Sequence, residues 1–314
     1  MYNVSLASLG TVVKKTEGAA IVDLKDGIAG LVLTDEKGKI SHKSAKWAVE
    51  AIKEMEDKVE GIVVFPNGEN FCCGNIDTDC EDPYTVAKSI QSLSSAIRHY
   101  NKPVVAVLKG MVLGAGYDIA LNCHAIIAEP TGVSAGYDFR ENNYPPMGGG
   151  LTAQIIEAYS RGEDIPNIDL VPVMKKLQGS ICFPKKTETT AEMVSLGILP
   201  KFTKIALPGE DVLNKGRIKA RNMNLEGYEP IPQKKVSVLG KTGSAALKIM
   251  AVNMYMGGFM SDSSYDIAVA VGNVIGGGAV PKGTEVTEAQ LLELEARGYQ
   301  EACLSKDRTS EVER

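Results

Sequence analysis

The chain has 314 residues, 44% apolar and 23% charged, which excludes a disordered, collagen-like or disulfide-scaffold protein and leaves ample material for a core. Its 34 basic and 39 acidic side chains leave a net charge of −5 without any basic block, which argues against nucleic acid as a partner. The length suits one large domain with an extension.

Six cysteines occur without a repeated CxxC pair, beside only three histidines, so no metal site is expected. The N-terminal MYNVSLASLGTVVKK lacks a basic region ahead of an apolar run, and the apolar stretch Ile267 to Val280 is too short to span a bilayer. The expectation is a reduced, cytoplasmic protein with no membrane partner.

In chain order, Ala20 to Leu24, Ile28 to Leu33, Ile62 to Phe65, Val104 to Leu108 and Ala125 to Ala128 have strand length and β-branched content. Between them, Ala48, Ile52, Met55 and Val59, then Val86, Ile90, Leu93, Ile97 and Tyr100, recur at helical spacing. Alternation of strand and helix makes the class α/β. Beyond about residue 180 the pattern turns helical, with helices expected over Thr187–Leu196, Ser244–Tyr255, Tyr265–Val274 and Glu288–Arg297. Pro230 to Pro232 reads as a connection and Gly276 to Gly278 as a turn.

Two glycine patterns fail as nucleotide sites. Gly240 to Thr242 (GKT) lacks the glycine five residues earlier that a phosphate-cradling loop needs, where Lys235 stands. Gly114 and Gly116 follow a strand, but the third glycine of a dinucleotide fingerprint is replaced by Ile119. An NAD-dependent dehydrogenase is therefore a weak reading. The Cys72–Cys73 pair has no CxxC spacing or neighbouring His to lower a thiol pKa and reads as packing.

Three glycine-bearing loops at strand ends remain: NGENFCCGNID (Asn67 to Asp77), KGMVLGAGYDIAL (Lys109 to Leu121) and GYDFRENNYPPMGGG (Gly136 to Gly150). In the second, Gly114, Ala115 and Gly116 open a helix, leaving backbone N–H groups bare at its positive end. Paired with an N–H of the first loop, they would polarise a carbonyl as an oxyanion hole. The plainer reading of any one of these loops is close helix-to-strand packing.

These segments resemble the enoyl-CoA hydratase/isomerase (crotonase) superfamily: FCCGNID its FxxGAD-type loop, KGMVLGAGYDIAL its NGxxxGGGxEL segment, and PPMGGG its PGxGG turn. The stretch Lys234 to Val286 is similar to the segment C-terminal to the hydratase core in bacterial fusions with a 3-hydroxyacyl-CoA dehydrogenase. The resemblance implies a spiral of ββα turns with a helical C-terminal region used for trimer packing. The implied organisation is an N-terminal extension over 1–17, a core with the acyl-CoA site over 18–200 and the helical region over 201–314. It implies an acyl-CoA substrate, no further cofactor, a homotrimer or hexamer, and a possible 3-hydroxyacyl-CoA dehydrogenase partner. The N–H groups of Asn75 and Ala115 would hold the thioester oxygen, with Cys73, Gly74, Ile76, Asp77 and Gly114 as substrate contacts.

Two departures stand out. The family's paired glutamates hold a water between them. The first position matches Asp118, one methylene shorter. The second falls on Phe139, which carries no proton, with Asp138 and Glu141 flanking it as replacements and Tyr137 or Tyr144 as phenols. At Thr34 to Ile40 the family's basic, Asn-Ala-containing segment is missing, leaving Lys37, Lys39, Lys43 and Lys46 to meet CoA phosphates or simply to be solvated. The expected function is a lyase or isomerase acting on enoyl-CoA or a related acyl-CoA. The alternative is a catalytically degenerate subunit that keeps the fold while a partner dehydrogenase performs chemistry.

Overall fold

The computed structural model describes residues 10–35, 38–76, 82–137, 145–163, 165, 167–183 and 186–312. Its main sheet has seven strands in the order β1 (Thr11–Thr16), β2 (Ala19–Asp23), β3 (Ile28–Val32), β5 (Gly61–Val64), β8 (Val104–Leu108), β10 (Ala125–Ala128) and β12 (Lys204–Ile205). β1 to β3 pair antiparallel, and β3 through β12 run parallel. Parallel strands are covered on both faces, which is why β8 reads as an unbroken apolar run. Its alternate residues divide accordingly: Val104, Ala106 and Leu108 join one core, Val105 and Val107 the other.

Helix α1 (His42–Glu54) follows the short strand β4 (Ile40–Ser41) and begins earlier than the apolar spacing predicts. The reason is a serine capping box: Ser44 N–H donates to Ser41 Oγ at 3.1 Å, and Ser41 N–H donates to Ser44 Oγ at 3.0 Å. Helix α2 (Pro83–Arg98) starts on Asp82, whose carboxylate accepts from the N–H groups of Tyr84 and Thr85, with Pro83 in the first turn.

A second, three-stranded layer orders β11 (Ser134–Gly136), β9 (Met111–Leu113) and β6 (Cys72–Cys73), all parallel. β6 follows β5, β9 follows β8 and β11 follows β10, which gives the spiral of ββα turns. The turn into β9 needs Gly110: its φ is +57°, and a Cβ there would lie 2.2 Å from Glu69 O. Helix α3 (Ala115–Asn122) leaves β9 directly.

Helices α4 (Gly150–Glu163), α5 (Val171–Cys182), α6 (Thr190–Leu196), α7 (Val212–Leu225), α8 (Gly240–Met256), α9 (Asp262–Gly276) and α10 (Glu288–Val312) complete the fold, with a hairpin of β13 (Lys235–Ser237) and β14 (Glu285–Thr287). Gly240 opens α8. β12 is the last strand of the main sheet, and α7 packs on that sheet's second core through Gly216 and Ala220, small enough for Val107 and Val63 to approach. The helical region proper begins after the proline-bearing connection at 230–232.

The buried Tyr159 of α4 ties this region to the core. Its hydroxyl donates to Ile275 O at 2.9 Å and accepts from Leu239 N–H at 3.2 Å. Tyr159→Phe leaves both partners unsatisfied and is expected to cost about 1–3 kcal/mol, read as a lowered urea midpoint at unchanged slope. Among the described residues no helix is long and apolar enough to cross a membrane, and no group of three or more His, Cys, Asp or Glu is placed to hold a metal.

Candidate functional site

The register of the small sheet organises the site. Cys73 pairs with Leu113 in parallel, and both chains then continue two residues to Asn75 and Ala115. β7 (Asn75–Ile76) pairs with β4, and Ile40 N–H donates to Gly74 O at 3.1 Å. In a parallel ladder that pattern engages the residues flanking Asn75 and turns the Asn75 N–H away from β4. At Ala115 the helix begins: Asp118 N–H is the first to reach back, to Gly114 O at 3.0 Å. The N–H groups of Ala115, Gly116 and Tyr117 thus have no acceptor within the helix.

Glycine sets the spacing here. Gly114 has φ +54° and Gly74 φ +108°, conformations that L side chains avoid. A Cβ on Gly116 would lie 2.1 Å from Cys72 Cβ, so only glycine lets α3 close on β6. Gly116 N–H is bonded to Cys72, and burial pushes that thiol up to about 12. The neighbouring Cys73 is partly exposed, its thiol raised by desolvation. At Cys73 desolvation and the charge of Asp35 outweigh the opposing charge of Lys39, so neither thiol is held ionised, in line with packing.

Asp118 lies one helical turn beyond Ala115 and is 0% exposed. Its oxygens are enclosed by donors. Oδ1 accepts from Tyr137 Oη and from Gly150 N–H, and Oδ2 accepts from Gly148 N–H, each at 2.9 Å. Desolvation raises its pKa above the ordinary carboxylate range, against these hydrogen bonds, which lower it. The glycines of PPMGGG are required by this contact, since a Cβ on Gly148 or Gly150 would lie within 2.8 Å of Asp118 atoms. Tyr137 stacks edge-on against Tyr117, with centroids 4.9 Å apart, and Tyr117 donates to Ile198 O.

Asp77, Asp138 and Glu141, with Phe139, Tyr144 and Lys37, lie outside the described residues. Lys39, Lys43 and Lys46 are exposed. One buried carboxylate escaped the sequence reading. Glu295 of α10, 1% exposed, accepts from Gly149 N–H at 2.8 Å, Thr152 N–H at 3.0 Å and Thr152 Oγ1 at 2.7 Å. The available signal was its place on a helical stripe, four residues after buried Leu291 and four before buried Tyr299.

Residues 26–152 match the enoyl-CoA hydratase/isomerase family model. They contain β3 through α3 and the Gly148–Gly150 turn, so these residues belong to that family, and the described chain has the fold of its solved members.

Among those structures, an enoyl-CoA hydratase from Thermoplasma volcanium superposes with TM-score 0.51 at 17% identity, covering 82% of this chain and 91% of that one. A Geobacillus kaustophilus enoyl-CoA hydratase gives TM-score 0.51 at 15% identity, covering 84% and 89%. In sequence, the chain is 30% identical over 297 residues to a Bacillus subtilis protein named "Probable 3-hydroxyacyl-CoA dehydrogenase", 92% of this chain. It is 28% identical over 164 residues, 51% of this chain, to the peroxisomal bifunctional enzyme of Cavia porcellus. The chain spans 37% of the Bacillus relative and 20% of the Cavia one.

Proposed function

We propose that this chain binds an acyl-CoA thioester and stabilises its enolate, serving a hydration, double-bond isomerisation or related lyase step. The observation that carries this reading is the register Cys72↔Val112 and Cys73↔Leu113, which sets Asn75 and Ala115 at matching positions just past the pairing. Two N–H donors aimed at one oxygen stabilise the negative charge that develops on a thioester carbonyl when the α-proton leaves. Helix α3 adds the partial positive charge of its N-terminus. Gly74 and Gly114 let the backbone approach the ligand, with Cys73, Ile76 and Asp77 as further proposed contacts.

In this reading Asp118 is the acid/base group. It sits three residues from Ala115 on the same helix, and its raised pKa suits proton transfer near neutral pH. Asp138 and Glu141 are the candidates for the second carboxylate. Assembly as a homotrimer or hexamer through the C-terminal helices is supported by exposed Ile249, Met256 and Phe259, the last 73% exposed. A 3-hydroxyacyl-CoA dehydrogenase as partner is supported by the name of the Bacillus relative, of which this chain spans only part.

A second reading is favoured by the burial of Asp118: a subunit that binds the thioester without turning it over. Calorimetric titration with an acyl-CoA, alongside steady-state assays on enoyl- and dienoyl-CoA, separates them. Binding with turnover at ordinary enzyme rates, about 1 to 10³ per second, is the expected result. Binding without turnover selects the second reading, and no binding of any CoA thioester overturns both.

A further inference from the structure

Asp118 and Glu295 grip one short turn from two sides. Asp118 holds the N–H groups of Gly148 and Gly150, and Glu295 holds that of Gly149 between them and then Thr152. Both carboxylates are buried, and among the described residues neither forms an ion pair with Lys, Arg or His. Two like charges so placed, without a counter-cation and out of water, cannot both remain ionised.

Further buried polar groups of α2 flank the same turn. Gln91 of α2 donates through Nε2 to Met147 O at 2.9 Å, just ahead of the turn, and to Leu292 O at 2.8 Å, one turn before Glu295. Its Oε1 is buried without a partner, as is Ser94 Oγ, whose Cβ lies 3.7 Å from where a Cβ on Gly149 would stand. A buried acceptor lacking a donor is costly.

We infer that Asp118 and Glu295 share a single proton at neutral pH, and that this proton, in place of a counter-cation, permits α10 to dock on the Gly148–Gly150 turn. Burial raises the pKa of both groups, and for Glu295 the charge of Asp118 raises it further. A proton held in the folded state at a pH where the unfolded chain has released it makes stability fall as pH rises. The contribution is complete below the ordinary carboxylate range and is lost as pH climbs through the pair's raised value. The device does not depend on the thioester reading.

Other titratable groups lie on the elements packed here, among them Tyr84 of α2, Tyr159 of α4, Tyr265 of α9, and Tyr299 and Cys303 of α10. Lys88, Arg98 and His99 of α2 face Glu293, Glu288 and Glu288 at 3.6, 3.4 and 3.1 Å. Arg161 and Glu157 of α4 pair at 2.6 Å, and Arg297 pairs with Glu293 at 2.7 Å within α10. Asp262 and Asp266 lie on α9, which packs along α10, and Glu301 lies on α10 itself. Tyr117 and Tyr137 are phenols raised by burial. His99, raised chiefly by its bond to Glu288, also loses charge as pH rises, so the test must separate it from the pair.

Urea unfolding of the full chain from about pH 6 to about pH 9, wild type against Glu295→Gln, makes that separation, because His99 is common to both. The amide keeps an oxygen for Gly149 N–H but does not ionise. The wild-type folding constant is expected to fall more steeply than that of the variant, approaching an extra tenfold per pH unit; parallel pH dependences overturn the inference. If Glu295→Gln does not fold, infrared spectroscopy of the wild type decides. A protonated-carboxyl band at neutral pH that disappears on alkalinisation is expected, and its absence at neutral pH overturns the shared proton.

Discussion

Ala115→Pro is expected to lower turnover of an enoyl-CoA thioester by about 10²- to 10³-fold, the usual loss for one oxyanion donor, while the protein stays folded. The substitution removes the amide hydrogen and adds two ring carbons at a buried position, so the folding control belongs to the test. Ala115 is the first residue of α3, where the N–H has no acceptor within the helix and the φ of proline is already helical. Gly114, which precedes it, is outside the α region that proline disfavours in its neighbour. Steady-state kinetics of wild type and variant, with circular dichroism as the folding control, reads the effect. Unchanged turnover in a folded variant would remove Ala115 from the proposed thioester site.

The second large effect falls on stability. Asp118→Ala takes the acceptor from Gly148 N–H, Gly150 N–H and Tyr137 Oη inside a closed interior. At about 1 kcal/mol or more for each orphaned donor, the loss is expected to reach about 3 kcal/mol or more, read from urea unfolding at neutral pH. Relief of repulsion with Glu295 opposes this and is the smaller effect, since the shared proton already removes one of the two charges. Asp118→Ala is also expected to bring the Glu295 pKa back toward the ordinary range by deleting a neighbouring negative charge. A carbon-13 carboxyl titration of the variant checks this, and a Glu295 signal that titrates as in the wild type would contradict it.

Much of the fold was legible in local sequence. Val104 to Leu108 forms a strand because five consecutive apolar residues, three of them β-branched valines, suit a position covered on both faces, and the spacing of Val86 to Ile97 marks α2 because one helix face meets the core. α7 was missed because Gly216 and Ala220, in the middle of the face that packs, are small and interrupt the apolar spacing between Leu213 and Met223. The long α10 was seen only over its first ten residues, where Leu291 and Leu294 show the period.

For the candidate site the division is physical. Residue type and spacing alone determined that glycine-flanked N–H groups stand at strand ends, because positive-φ turns and helix openings are written in a few consecutive residues. Only the tertiary structure decided what surrounds them. The register that pairs Cys73 with Leu113, each two residues short of Asn75 and Ala115, depends on strands 40 residues apart in the chain. Asp118 was recognisable as a carboxylate in a helix's first turn, but its burial among Tyr137, Gly148 and Gly150, and the approach of Glu295 from α10, are long-range facts. Charge state in an interior is set by neighbours in space, and a sequence lists neighbours only along the chain.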